Sequence, residues 1–108
     1  FGSSKNDFGL GVNVDSKGNI YVTGYTEGGL DGKTNSGERD IFLVKYNSSG
    51  TKQWTQQLGT PTFEEGNGVA VDSSDNIYVS GWTRGKLDTY AGGDDAILVK
   101  YNSSGTKQ

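Results

Sequence analysis

Apolar residues along the chain gather in short runs separated by clusters of Gly, Asn, Asp and Ser, the pattern of strands joined by turns. Four such segments come first: Gly11–Asp15, Asn19–Thr26, Asp40–Tyr46 and Thr51–Leu58. Three return as Gly68–Asp72, Asn76–Thr83 and Asp95–Tyr101, and the fourth begins again before Gln108. No stretch has helical periodicity, and the glycines recur too often for a helix. Ile20-Tyr21-Val22 and Ile41-Phe42-Leu43-Val44 are apolar without alternation, which predicts strands covered on both faces. Trp54-Thr55-Gln56-Gln57-Leu58 alternates, which predicts a less enclosed outer strand. Gly11-Val12-Asn13-Val14 is short and small-headed, as an inner strand crowded near an axis would be.

The segments recur because the chain is two copies of one unit. Leu43–Gln53 is repeated residue for residue as Leu98–Gln108, and Asn19-Ile20-Tyr21-Val22 returns as Asn76-Ile77-Tyr78-Val79. The early part of the unit recurs at an offset of 57 (Asp15 to Asp72) and the later part at 55 (Tyr46 to Tyr101), so two residues are lost between Leu87 and Asp95. Such self-similarity predicts a repeat architecture, in which one unit buries its apolar surface only against the next. Composition points the same way: 31% of the 108 residues are hydrophobic and 18 are Gly, too lean for a free-standing core.

Turn chemistry divides the connections into two kinds. Asn47-Ser48-Ser49-Gly50 and Asn102-Ser103-Ser104-Gly105 predict tight hairpins with Gly at positive φ. Asp15-Ser16-Lys17-Gly18-Asn19 predicts another, and its counterpart puts Asp75 where Gly18 stands, a residue that tolerates the left-handed region. Glu27–Arg39 (shortened to Arg84–Asp94) and Gly59–Asn67 (matching Gly2–Leu10) are the loops in which the copies diverge. In an up-and-down sheet they emerge together, so one rim is standardised and the other varies.

Charge and composition narrow the chemistry. The net charge is −3, with Lys and Arg scattered, which argues against a nucleic-acid or anionic-membrane partner. No apolar run approaches the roughly 18 residues of a membrane span. The chain starts at Phe1 without a Met and shows no signal-peptide pattern, so any targeting segment is expected outside it. Cys and His are both absent, which excludes disulfides, thiolate chemistry, His-containing triads and His-liganded metals.

Four antiparallel strands per unit, joined by an Asp-x-x-Gly/Asp-Asn-Ile-Tyr-Val turn, resemble a β-propeller blade. Asn76-Ile77-Tyr78-Val79-Ser80-Gly81-Trp82-Thr83 followed by Asp95-Ala96-Ile97-Leu98-Val99-Lys100-Tyr101 is similar to the bacterial β-propeller repeat called SBBP, and the likeness spans nearly the whole chain. It implies an all-β fold of propeller blades, a four-stranded antiparallel sheet in each, in secreted or surface-exposed bacterial proteins with tandem blades. It carries no catalytic motif. Residues 1–57 are expected to hold the end of a preceding outer strand and the first blade, and residues 58–108 a second blade lacking most of its outer strand. Because propellers use about 4–8 blades, further blades are the expected partners, from a longer chain or, less favoured, from identical chains.

Several candidate chemistries meet plainer explanations. Glu64-Glu65, Asp94-Asp95, Asp31, Glu38 and Asp88 could suggest a glycosidase pair, but neighbours on a strand point apart, and solvated loop charges are the preferred reading. Asp15–Asn19 and Asp72–Asn76 supply oxygens without calcium-loop spacing, so a turn that hydrogen-bonds its own amides is preferred to a metal site. Tyr21/Tyr78, Tyr25/Trp82 and Tyr46/Tyr101 recur at fixed positions and are assigned to packing between blades rather than to glycan stacking. Asn47 and Asn102 head N-glycosylation patterns that the hairpins explain. No cofactor or metal is expected. The preferred function is a non-catalytic surface scaffold or interaction platform, binding a protein or glycan through Arg39, Phe63, Arg84, Lys86, Asp88 and Tyr90 on the variable rim. The alternatives are a glycan-binding or glycan-hydrolysing propeller and a self-assembling structural repeat.

Overall fold

The computed structural model describes residues 1–30, 32, 33, 35, 37–60, 62–85 and 95–108. The strands are β1 (Asp7–Val14), β2 (Ile20–Thr26), β3 (Asp40–Tyr46), β4 (Lys52–Leu58), β5 (Glu64–Val71), β6 (Ile77–Thr83) and β7 (Asp95–Tyr101). They form one antiparallel sheet in the order β1-β2-β3-β4 and a second in the order β5-β6-β7. Beside β7, Lys107 makes an antiparallel bridge to Tyr101 and the Gln108 amide donates to the Lys100 carbonyl. The all-β propeller-blade architecture expected from the repeat is what the sheets show.

Each tight turn is built as its residues dictate. Gly18, Gly50 and Gly105 have φ of +81°, +83° and +86°, and Asp75, in the place of Gly18, has φ of +62°. The Asn47 side-chain oxygen accepts the amides of Ser49 (3.0 Å) and Thr51 (2.9 Å), and Asn102 does the same for Ser104 and Thr106. These asparagines are consumed by their hairpins, as expected.

One boundary differs from expectation. The first strand of each unit begins at Asp7 and Glu64, not at Gly11 and Gly68, so half of the presumed variable loop is strand. A β-bulge between Gly9 and Gly11, matched between Gly66 and Gly68, breaks the alternation that would have revealed it. The bulge also explains two glycines opposite: a Cβ on Gly24 would lie 1.8 Å from the Phe8 carbonyl oxygen, and on Gly81 1.9 Å from that of Glu65.

The core lies between the sheets. Tyr21, Ile41 and Leu43 of the first pack against Ile77, Val79 and Tyr101 of the second, with Val69, Val71, Ile97, Val99 and Trp54 around them. Burial pushes the Tyr101 phenol up to about 12. The first sheet's other face packs Leu30, Phe42 and Val44 with Val22 and Tyr46, and the Phe1 ring meets Phe42 edge-on at 5.4 Å. β3 is buried from Asp40 to Val44, as its unbroken apolar run predicts. Its twin β7 alternates between half-buried and exposed along most of its length. Leu43 is 1% exposed and its equivalent Leu98 69%, because the second sheet covers the first and nothing described covers the second.

Candidate functional site

The diverging loops meet at one end of the paired sheets, and β-bridging places them there. Arg39, one residue before β3, forms a parallel bridge with Phe63, one residue before β5. The Glu64 amide donates to the Arg39 carbonyl and the Arg84 amide to the Phe63 carbonyl, both at 2.9 Å. Three backbone segments thus converge where the sheets join, and Arg39, Phe63, Trp82 and Arg84 line an open cleft of about 280 Å³. The structure brings together three of the expected rim residues, Arg39, Phe63 and Arg84. Lys86, Asp88 and Tyr90, with Asp31 and Asp94, lie outside the described residues.

Cations and rings alternate across the cleft. The Arg39 guanidinium carbon sits 4.4 Å from the Tyr25 ring centre and 5.3 Å from that of Phe63. That of Arg84 sits 5.3 Å from Phe63 and 5.7 Å from Trp82. Each contact is worth about 0.5–1 kcal/mol where solvent reaches it. Arg39 also faces two carboxylates: its Nε lies 3.7 Å from Glu27, too far for a hydrogen bond, and its Nη1 lies 3.4 Å from Glu65. These groups keep 18–31% of their side-chain surface exposed, so screening leaves the pairs little energy and they serve mainly to fix geometry. Arg84 is exposed, while Phe63 and Trp82 are half-buried.

Sequence reasoning missed Trp82 as a cleft residue because it repeats as Tyr25, and repetition suggested packing. Tyr25 does pack: it is buried and stacks on Phe8 at 4.9 Å. Trp82 pairs across the sheet with Glu65 instead, and so keeps surface toward the cleft.

Beneath the rim lies a carboxylate that was misjudged. Glu64 is not a solvated loop charge; it is fully buried at the start of β5. It accepts hydrogen bonds from the Thr60 amide (2.5 Å), Thr60 Oγ1 (2.6 Å), Thr83 Oγ1 (3.2 Å) and Thr62 Oγ1 (3.4 Å). The first unit repeats the device with Asp7, which accepts from the Ser3 amide and hydroxyl and from Thr26 Oγ1. The sign was a Ser or Thr four residues before each acid, Ser3 and Thr60. Glu65 points the other way, toward Arg39 and Asn67, as adjacent strand residues must. The Glu64-Glu65 pair therefore does not form two carboxylates facing one substrate.

At the opposite end the aspartate turns are closed on themselves. Asp15 accepts from the amides of Lys17 and Asn19, from Asn19 Nδ2 and from the Tyr21 hydroxyl, at 2.8–3.0 Å. Asp72 repeats all four bonds with Ser74, Asn76 and Tyr78. Burial alone would raise the Asp15 carboxyl, but the donors Asn19, Tyr21 and Lys17 outweigh it and hold the group at about 2, below the usual 3.8. At Asp72 the Asn76 amide leads, against desolvation, and the result is again about 2. The expected turn is what these residues build. Among the described residues no cluster of three or more acidic, His or Cys side chains could hold a metal ion. No helix there is long and apolar enough to cross a membrane.

The chain is similar to parts of much larger proteins. It is 27% identical over 120 residues to an uncharacterized WD repeat-containing protein of Acanthamoeba polyphaga mimivirus, covering 94% of this chain and 9% of that protein. It is 30% identical over 120 residues to the regulatory protein FlaEY of Caulobacter vibrioides, covering 99% of this chain and 13% of that one. The chain thus spans about a tenth of the length of these relatives. The Beta-propeller repeat family, SBBP, matches residues 2–31 and 53–87, the segments that hold β1, β2, β5, β6 and all of β4 but Lys52. With more than half of its length matched and its sheets paired as blades, the chain belongs to the SBBP beta-propeller repeat family.

Proposed function

We propose that this chain is a non-catalytic propeller module that recognises a partner through the cleft at the junction of its two sheets. The carrying observation is that the copies differ at the cleft and agree beneath it. Asn6, Tyr25 and Glu27 become Phe63, Trp82 and Arg84, and Arg39 becomes Asp94, while Gly24/Gly81, Thr26/Thr83 and Asp40/Asp95 are kept. Binding residues on a rigid frame follow that division. The names of the relatives, one a WD repeat protein and one a regulatory protein, agree with a role in interaction. The bacterial surface setting rests on family resemblance alone and is tested by cell fractionation of a tagged chain.

Further repeats are the other proposed partner. The outward face of the second sheet carries Tyr78, Ala96 and Leu98, equivalent to the Tyr21, Ile41 and Leu43 that the second sheet covers on the first. A third blade would cover them in the same way.

Nuclear magnetic resonance shift mapping against a short-peptide panel and a glycan panel tests the recognition surface. Saturable shifts at Arg39, Phe63, Trp82 and Arg84, with none at the Asp15 and Asp72 turns, are expected. Shifts centred on those turns, or glycoside turnover abolished by Glu65→Gln, would replace the proposal with one of its alternatives.

A further inference from the structure

The two sheets meet through one interface, and each sheet leaves half of that same interface open on its other side. On the reading that repeats cover one another's faces, we infer that the occupant is a second copy of this chain, its first sheet seated on the second sheet of the copy before it. Leu43 is covered by the second sheet, whereas its counterpart Leu98 is 69% exposed. From the other side, Val69 and Val71 pack into the internal interface, whereas their counterparts Val12 and Val14 are 66% and 53% exposed. Phe1 and Leu30 cover the β3 side of the first sheet's outer face, at Phe42, and leave this β1 side open. Each copy thus presents on one face what the other face of the next copy is shaped to cover.

Glycine placement supports the same occupant. A Cβ on Gly66 would lie 2.5 Å from Thr23 Oγ1 and 3.0 Å from Ile41 Cγ2 of the facing sheet, so only Gly lets the two sheets approach. Gly9 holds the equivalent place and is exposed; a Cβ there would meet nothing closer than Val22 of its own sheet, at 3.6 Å. The first sheet therefore keeps the gap that a neighbouring sheet of the same kind requires. The polar contact is kept as well. Lys45 Nζ donates to the Ser103 carbonyl across the interface at 3.2 Å, and the counterparts Lys100 and Ser48 are both exposed. Asn13 and Ser16 also reach across, to the Val69 carbonyl and to Asp75. Those two contacts cannot recur, because Ala70 stands for Asn13 and Gly18 for Asp75. The contact between copies is accordingly weaker than the internal one, which tethering also favours by an effective concentration of about millimolar. Because the two faces are unlike, the contact is heterologous and repeats until a ring closes. At two blades per chain, a propeller of about 4–8 blades takes about two to four copies.

Sedimentation equilibrium on the whole chain, from about 5 µM to about 1 mM, spans the range over which such an untethered contact fills. The mass is expected to rise from the 11.5 kDa of one chain at the low end, where fluorescence assays read single chains, to that of about two to four chains at the high end. Leu98→Lys and Gly9→Lys each spoil one face and should each weaken association about tenfold or more, since a charge would be buried without a partner. Both positions are exposed, so urea midpoints unchanged from the parent in dilute solution show that the variants fold. Mixed in equal amounts, the variants retain one intact face each and should form a dimer that grows no further. A dimer that survives Gly9→Lys but not Leu98→Lys would mean that like faces pair, and would overturn the head-to-tail assignment. A chain that stays single at the highest concentration overturns the inference. The broader reading then stands or falls separately, on whether Leu98→Ala becomes costly once a third repeat is appended.

Discussion

Glu64 is the residue on which the rim's geometry rests, and its removal can be worked through atom by atom. Glu64→Ala takes away the acceptor used by the Thr60 amide and by three threonine hydroxyls. The hydroxyls can turn elsewhere: Thr83 Oγ1 already lies 3.1 Å from the Gly85 carbonyl, and those of Thr60 and Thr62 lie 3.0 Å apart. The amide cannot turn. A buried donor left unpaired costs about 1–3 kcal/mol, and the lost packing of a fully buried side chain adds to it, for an expected total of about 2–4 kcal/mol. Against a whole-domain stability of about 5–15 kcal/mol that is a large loss. Glu64→Gln keeps Oε1 for the Thr60 amide and sets an NH2 against hydroxyls that can accept, so about 1 kcal/mol is expected. Urea unfolding followed by tryptophan fluorescence measures both. The Phe63 amide signal should move in the Ala variant, because Phe63 lies in the Thr60–Glu64 loop that the carboxylate ties down. An Ala variant within about 0.5 kcal/mol of the parent, the range of ordinary surface changes, would refute the argument, as would a Gln variant that loses as much as Ala.

Three further outcomes follow from equivalent positions. Leu43→Ala should cost about 2–5 kcal/mol and Leu98→Ala less than about 0.5 kcal/mol in the same denaturation assay, because one side chain is 1% exposed and the other 69%; in a chain extended by a third repeat, the Leu98 variant should become as costly as the first. The Asp15 and Asp72 carboxyls titrate near 2 when folded and near 3.8 when not, so the stability they add is complete above about pH 4 and drains away as pH falls toward 2. An acid titration of Tm should show that fall, reduced in Asp15→Asn. Asp75→Gly should stabilise the chain by a few tenths to about 1 kcal/mol, since φ of +62° suits Gly better and only a 3.4 Å contact from Ser16 is lost; a loss of Tm would show that the contact outweighs the strain.

What the sequence made legible was whatever forms an unbroken apolar run or sits at a fixed turn. The strand Asp40–Tyr46, the Asn47 and Asn102 hairpins and the left-handed Asp75 follow from side-chain type alone. The start of β1 and β5 did not, because the bulge at Gly9–Gly11 and Gly66–Gly68 shifts the register and mimics a loop. Glu64 did not either. An acid next to another acid in a divergent stretch looks solvated unless its partners are known, and one of them, Thr83, is 19 residues away. Arg39, Phe63 and Arg84 were found by divergence between copies, whereas Trp82 escaped because an aromatic stands at both positions.

Divergence at a rim has a plain rival explanation: exposed loops drift because nothing constrains them. The cleft argues against drift. Unconstrained loop positions favour small polar residues, yet here Asn6 is answered by Phe63, and Phe63 is half-buried between two guanidiniums rather than loose in solvent. Glu27 is answered by Arg84, a reversal of charge at a position whose backbone neighbours Thr26 and Thr83 make the same hydrogen bonds to Gly28 and Gly85. The backbone that presents these side chains is thus held constant by the buried acids and threonines, and only the chemistry presented has changed. A frame can vary its surface in this way at little cost to its stability, because the changed positions Phe63 and Arg84 lie at the half-buried and exposed rim, outside the apolar cluster between the sheets.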